Sequence, residues 1–395
     1  MDKAVTLLCA FSMGMCFSLL GAVSVKLMPR LRIDQGQFGT LVSALMAACL
    51  VTSLVAGVVL DTVGYRPVAL FGFVVSGVCV LLLAHVRTYA AMLGSCFLLG
   101  VGAMSLSMAA MTLMPVVLFG GKNPAAANNL GNVAFGVGLL LTPLLVSFLF
   151  RRISYELAVS VVAAIVVAPV IPALLATYPQ SQAAAFALGD AVALLREPAV
   201  LVAGCALFCY TSLEQSFTSW LPAFGKEVIG ADSRDAAATD AAAQRLLSLF
   251  AVAMMLGRLA ASQVPAITEY GSWMMAGAAV LAALFVLLMI VARQPWQAAL
   301  LAVLAGLVLA PCFPTTVGIT FAKYRPAVYG SVFGIIFAMA MLGGAIVPKL
   351  IGNLARGSSV QRSLRLLLPA CIVFAVLVMV LGQIQTTSFA GGNAR

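Results

Sequence analysis

Charge is missing from long stretches of this chain, and that absence constrains the fold more than any residue the chain contains. Apolar runs of twenty or more residues recur from end to end, separated by short polar knots such as Asp61–Arg66, Gly120–Pro124 and Lys323–Pro326. Asp, Glu, Lys and Arg together make up 9% of the residues, against about 25% in a soluble protein. A bilayer core about 30 Å thick takes roughly 20 apolar residues per crossing helix. In lipid every backbone N–H and C=O must be satisfied within its own segment, so such runs must be helical. The chain therefore reads as an all-α, multi-pass membrane protein.

Reading apolar segments between charged or Pro/Gly breaks predicts about twelve spans. Spans 1 to 6 cover residues 4–28, 38–60, 67–86, 90–119, 125–150 and 155–177. Spans 7 to 12 cover 198–224, 245–265, 271–292, 297–322, 328–351 and 364–384. The first run is too long for the apolar core of a cleavable signal and lacks a small-residue cleavage site, so it is expected to stay as span 1. Two connections are long. Tyr178 to Pro198 carries Asp190, Arg196 and Glu197. It divides the chain into a six-span bundle at 1–178, a central linker at 179–197, cytoplasmic if the orientation is that of the family resembled below, and a second bundle at 198–395. The other, Gly225 to Gln244, is rich in Ala and Asp and is expected to form a surface loop or short helix.

The halves echo each other. Span 5 carries Gly138 and Pro143, and span 11 carries Gly343 and Pro348 at the same five-residue spacing. Each pair is followed by an apolar turn and a basic residue, Arg151 and Arg356. Six plus six helices with repeat-related halves is an architecture common among secondary transporters.

Several function classes fall away on composition. The nine cysteines lie inside apolar runs, without a CxxC or a Cys/His cluster, so no disulfide framework or metal site is expected. The single histidine, His85, sits beside Arg87 at the rim of a span and reads as interfacial rather than as a proton carrier. A net charge of +10 is spread singly over helix ends, which fits lipid headgroups as partners and not nucleic acid. No P-loop, HExxH, nucleophile–base pair or paired intramembrane carboxylates occur, so neither an enzyme nor a cofactor is expected.

The turn after span 2 reads Gly57-Val-Val-Leu-Asp61-Thr-Val-Gly64-Tyr-Arg66. It resembles the signature between helices 2 and 3 of the major facilitator superfamily, with Gly57 for close helix approach, Gly64 for a tight turn and Arg66 as a headgroup-side cation. The resemblance implies a fold of two six-helix bundles. It also implies that Asp61 meets the amino end of span 11, near Tyr329 to Ser331, where a helix dipole favours an anion. Thr62 and Tyr65 stand where that family usually has basic residues, so the gate would be held by fewer ion pairs. The superfamily also commonly places a Gly-Arg pair near the cytoplasmic end of helix 8, as Gly257-Arg258 stands here. Arg258 is then a gate residue, or a side chain that snorkels to the headgroups.

A second resemblance is narrower. Span 5 opens Asn128-Asn129-Leu-Gly131-Asn132 and continues to Phe135-Gly136-Val-Gly138, and span 7 carries Glu214 followed by Ser219-Trp220-Leu221. Both are similar to the fucose permease-like branch of sugar:proton symporters. That branch has an acidic residue in helix 1 or 4, whereas span 4 here offers only Ser105, Ser107 and Thr112.

Glu214 is the one acid well inside a predicted span, and a charge near mid-bilayer costs at least about 2.5 kcal/mol. With no obvious intramembrane cation to pair it, Glu214 is expected to face a water-filled cavity and to take up a proton. The alternative is structural pairing with another helix or with Arg245. Tyr210, Gln215, Asn132 and Trp220 are the candidate substrate contacts beside it. For Asn132, which shares a stripe with Asn128, Phe135 and Thr142, interhelical hydrogen bonding is an equal alternative. Pro311 and Pro314 interrupt span 10 and free carbonyls that Thr315, Thr316 or water would satisfy.

The sequence is thus read as a monomeric secondary transporter of a plasma membrane or bacterial inner membrane. Its expected partners are a small neutral or zwitterionic organic solute, a coupling proton and membrane lipids. An organic cation balanced by Glu214, an efflux pump for amphipathic compounds, and a non-transporting receptor or assembly factor are the rivals. The superfamily topology puts both termini and the Asp61–Arg66 turn in the cytoplasm. Arg30, Arg32, Arg151, Arg152, Arg356, Arg362 and Arg365 then lie outside, against the positive-inside tendency.

Overall fold

A computed structural model describes residues 1–179, 188–230 and 236–385. The first six spans are built from α1 (Asp2–Leu31), α2 (Gln35–Val63), α3 (Tyr65–His85), α4 (Tyr89–Val117), α5 (Pro124–Phe150), α6 (Tyr155–Val167) and α7 (Val170–Leu175). A short α8 (Leu188–Leu194) precedes α9 (Pro198–Gly230), α10 (Ala236–Ser262), α11 (Ile267–Val291), α12 (Pro295–Leu309) and α13 (Cys312–Phe321). The chain ends with α14 (Tyr329–Ala355), α15 (Val360–Ser363) and α16 (Leu367–Gln383). Twelve segments among the described residues are long and apolar enough to cross a membrane, and each matches a span expected from the sequence.

Three departures from the expected outline have local causes. Span 6 is broken into α6 and α7 at Ala168–Pro169, and span 10 into α12 and α13 at Ala310–Pro311. In both, proline removes an amide donor and its ring collides with the preceding turn. The stretch from Gly225 to Gln244 is largely helical, because α9 runs on to Gly230 and α10 begins at Ala236. Its residues 231–235, and residues 180–187 of the central connection, lie outside the described residues.

The chain divides into two compact units. The first comprises Met1–Lys122, Gly131–Leu194 and Arg325–Gly334; the second comprises Asn123–Leu130, Leu195–Tyr324 and Ile335–Arg395. The amino ends of α5 and α14 are therefore assigned to one unit and the rest of each helix to the other.

Within each unit the Gly138/Gly343 echo becomes the same helix crossing. A Cβ on Gly138 of α5 would lie 2.1 Å from the carbonyl oxygen of Phe11 on α1, and one on Gly343 of α14 would lie 2.1 Å from that of Phe208 on α9. Small residues let two backbones touch, and in lipid that contact is a main source of helix association. Each unit also ties the ends of three helices together. In the first, Arg30 at the end of α1 donates to Glu156 at the start of α6 and to the carbonyl of Ala84 at the end of α3. In the second, Glu227 near the end of α9 accepts from the amides of Val360 and Gln361, and the Gln361 amide group donates to the carbonyls of Met289 and Ala292. The positions correspond while the chemistry differs. Arg30 is thus engaged within the protein.

Replacing Gly138 or Gly343 by Ala is expected to lower the thermal midpoint of the purified protein, at a cost of about 1–3 kcal/mol each, because backbone cannot yield as a side chain would. Gly94, whose added Cβ would meet nothing within 4 Å, should accept Ala with no loss.

Candidate functional site

α10 approaches the break between α12 and α13 because residue 257 is glycine: a Cβ there would lie 2.6 Å from Ala310 Cβ and 2.8 Å from the Leu307 carbonyl oxygen. The next residue, Arg258, is carried into the interior of the second unit and is buried. Its Nε donates to the carbonyl of Ala310 at 3.2 Å. That oxygen is available because its helical donor would be the amide of residue 314, which is proline and has none. Arg258 Nη2 donates to Glu214 Oε1 of α9 at 3.0 Å. The Glu214 side chain retains 21% exposure against 9% for Arg258.

Two expectations are corrected here. Glu214 does have an intramembrane cation, forty-four residues along the chain, so a carboxyl lacking a cation is not what the fold provides. Arg258 is neither at a headgroup surface nor free to snorkel, because a carbonyl and a carboxylate hold it inside. The prolines of span 10 also act differently from expectation. Arg258, not a threonine, takes the Ala310 carbonyl, while the Thr315 hydroxyl accepts from Asn129 Nδ2 at 2.9 Å.

Tyr210, one turn before Glu214 on α9, is fully buried; the Arg258 guanidinium is within reach of its oxygen, and its hydroxyl proton has no acceptor among the described residues. It lies close enough to Glu214 and Arg258 to feel both charges. Its ring is 6.1 Å, centroid to centroid, from both Phe313 of α13 and Phe374 of α16. Phe337 of α14 stands edge-on to Phe313 at 6.1 Å. These three phenylalanines were not singled out in the sequence; the Pro311–Pro314 break beside Phe313 was the one local signal.

The other expected contacts are distributed. Gln215 is exposed, with its Cγ against Gly344 of α14. Trp220 donates through Nε1 to the carbonyl of Pro348 at 2.9 Å, which pins the ring to α14. Asn132 belongs to the first unit, where its Nδ2 lies 3.6 Å from the Met111 sulfur.

The turn after α2 forms a second polar centre, inside the first unit. Asp61 is buried, and its two carboxylate oxygens accept from the amides of Gly330, at 2.8 Å, and Ser331, at 2.7 Å. These amides open α14, where the first turn has no helical acceptors and the dipole favours an anion. Gly57 lets the helices meet, since its Cβ would fall 2.3 Å from the Gly330 carbonyl oxygen. Gly64 adopts φ 85°, a conformation other residues avoid, to turn the chain into α3. Arg66 remains exposed and donates to the carbonyl of Leu174 at 2.9 Å, which ties α3 to α7. Thr62 bonds back to its own helix, and Tyr65 is buried near Asp61.

The amino end of α5 is held without formal charge. Thr268 of α11 accepts from the Ala125 amide at 3.0 Å and donates to Asn123 Oδ1 at 2.6 Å, while Asn123 Nδ2 donates to the carbonyl of Pro265 at 2.7 Å. Among the described residues no group of three or more His, Cys, Asp or Glu side chains could hold a metal ion.

The profile of the Major Facilitator Superfamily matches residues 6–348. The chain belongs to the Major Facilitator Superfamily. Members of this superfamily are secondary transporters, and this chain has the fold that goes with that activity. FucP, a superfamily transporter solved in its outward conformation, aligns with a TM-score of 0.78 at 16% identity over 97% of this chain and 100% of its own. A variant of the E. coli fucose:proton symporter FucP gives 0.77 at 16% identity, with the same coverage of both chains. The human organic anion transporter MFSD10 (TETRAN) gives 0.72 at 16% identity over 95% and 98%. No curated protein sequence matches. As a superfamily member the protein acts in a membrane it crosses many times.

Arg258→Gln alone should destabilise the protein by about 1–3 kcal/mol, less than the loss for a fully buried pair, because it strands a carboxylate that keeps some exposure. The Glu214→Gln/Arg258→Gln double variant should recover most of that loss. Thermal unfolding of the four proteins of this cycle measures the coupling, and additive losses would mean that the pair does not exist in the membrane.

Proposed function

We propose that the protein is a proton-coupled secondary active transporter that moves a small organic solute by alternating access. The pair Glu214–Arg258, buried in α9 and α10 beside Tyr210, is the observation that carries this reading. A charge inside a membrane helix is expensive and tends to be kept for transport chemistry. Glu214 is the coupling residue; Tyr210, Gln215, Asn132 and Trp220 are its proposed companions in solute contact. With both charges present the site is neutral overall, which suits the neutral or zwitterionic solute expected from the sequence. FucP is a fucose:proton symporter, and the shared fold supports symport here without naming the solute.

Residues 1–178 and 198–395 are the two moving bodies, and 179–197 is the cytoplasmic linker between them. Asp61, with Gly57, Gly64 and Arg66, is the gate element. Its carboxylate releases the amino end of α14 when the cytoplasmic side opens and recaptures it when that side closes. Both termini then lie in the cytoplasm, in a plasma membrane or bacterial inner membrane, and one chain suffices for the cycle. Efflux of amphipathic compounds is the second reading, supported by the wall of Phe313, Phe337 and Phe374; proton flux opposite to solute flux in vesicles would favour it.

Once a thermal-shift screen has supplied a solute, Glu214→Gln in proteoliposomes should lose concentrative uptake while keeping counterflow exchange. If this variant concentrates solute as well as its parent, coupling through Glu214 is wrong. Asp61→Asn keeps an acceptor but loses the charge. It should leave expression near the parent level, slow transport, and increase the labelling of a cysteine placed at Ser331 by a cytoplasmic thiol reagent. Unchanged labelling and rate would remove the gate role.

A further inference from the structure

The two members of the buried pair are anchored unequally. Arg258 has a second, uncharged anchor in the Ala310 carbonyl, which no proton can neutralise and which Pro314 leaves without its helical donor. The carboxylate of Glu214, the more exposed partner, accepts from Arg258 and from no other donor among the described residues. A proton can therefore reach Glu214 and release it while Arg258 stays in place.

From this asymmetry we infer that the cluster of Tyr210, Glu214 and Arg258 is the binding site for a monocarboxylate with an apolar body, and that solute and proton enter together by exchange with the ion pair. The inference rests on Glu214 as the coupling residue, and it replaces the neutral or zwitterionic solute of that reading by an anionic one. Protonating Glu214 leaves a buried guanidinium with no anion, a strongly unfavourable arrangement. A solute carboxylate restores the pair, whereas a neutral solute does not and a cation makes it worse. The guanidinium has five N–H groups in a planar fork suited to a carboxylate, and Nε and Nη2 account for two of its bonds here.

Tyr210 supplies the second observation. A fully buried hydroxyl whose proton has no acceptor among the described residues is unusual, since buried polar groups are nearly always hydrogen-bonded. Beside Arg258 it is placed to donate to the second oxygen of an arriving carboxylate. Phe313 and Phe374, each 6.1 Å from the Tyr210 ring, are packed against it in the interior, so a solute entering the cluster would meet aromatic surroundings that suit an apolar body.

The titratable groups around Glu214 are few. α10 brings Arg258, α9 brings Tyr210, and α13 brings the thiol of Cys312, with Cys371 of α16 beyond it. α14 brings the uncharged Phe337. Glu214 is thus the one carboxyl of the cluster among the described residues. Each turnover carries one proton and one carboxylate, neutral together, so the pH gradient and not the membrane potential drives accumulation.

The test is a thermal-shift titration of the purified full-length protein with benzoate, phenylacetate and hexanoate, using benzamide and fucose as uncharged probes, at mildly acid and neutral pH. The carboxylates should raise the midpoint and the uncharged probes should not. Carboxylate Kd should weaken by up to about tenfold per pH unit as Glu214 ionises. Glu214→Gln should bind carboxylates with a Kd that no longer depends on pH. Tyr210→Phe should weaken binding by roughly tenfold. Glu214→Gln/Arg258→Gln, which is charge-balanced and expected to fold, should not bind them. Carboxylate binding that survives in the double variant overturns the proposal, as does a panel in which no carboxylate shifts the midpoint. Uncharged probes that bind in a pH-dependent manner, lost in Glu214→Gln, would overturn the carboxylate alone and leave the coupling residue standing. Binding that depends on pH in neither protein would overturn both.

Discussion

The carbonyl of Ala310 would ordinarily be bonded to the amide four residues on, and residue 314 has no amide hydrogen to give. In water the loss would be made good by solvent. In the middle of a membrane helix it has to be made good by protein, and the polar chemistry of the second unit follows from how that is done. Arg258 takes the carbonyl through Nε, and its Nη2 is then aimed at Glu214. The glycine before Arg258 brings α10 close enough for the bond to form. A proline, a glycine, an arginine and a glutamate on three different helices thus act as one unit, and none of them would be placed as it is without the others.

The same rule, that a helix end or broken ladder must be satisfied from inside the protein, organises the first unit. There the unsatisfied groups are the first amides of α14, and a carboxylate, Asp61, supplies the acceptors. At the amino end of α5 the corresponding task falls to Asn123 and Thr268, which carry no charge. The two helices that are divided between the compact units are therefore held at their amino ends by unlike chemistry. An acid can lose its grip by protonation; an amide and a hydroxyl cannot. Asp61, which is buried, and Glu214, which is partly exposed, are thus carboxylates in separate units, each holding a specific set of hydrogen bonds.

How much of this was legible in the chain varies with the range of the interaction. The twelve spans were legible because bilayer thickness fixes the length of an apolar run. The Asp61 turn was legible because its parts, Gly57, Asp61, Gly64 and Arg66, lie within ten residues of one another. Gly138 and Gly343 were visible as a repeat, and the structure shows why: each is the point where a neighbouring carbonyl leaves no room for a Cβ. Glu214 stood out as an isolated acid, but its partner did not, since an arginine near a helix end looks the same in sequence whether it faces lipid or the interior. Asn132 and Asn129 looked alike as well, and one meets Met111 while the other meets Thr315.

The sequence by itself determined that this is a membrane protein of twelve helical spans with an acidic turn after the second. Those outcomes depend on composition and on residues that are neighbours along the chain. Tertiary structure alone decided that Arg258 faces Glu214, that Pro314 provides the anchor for it, and that Tyr210 is buried beside both with its hydroxyl proton unclaimed. The physical reason is that a helix spreads its side chains over every direction, and only packing against other helices selects which of them are removed from lipid and brought within hydrogen-bonding distance.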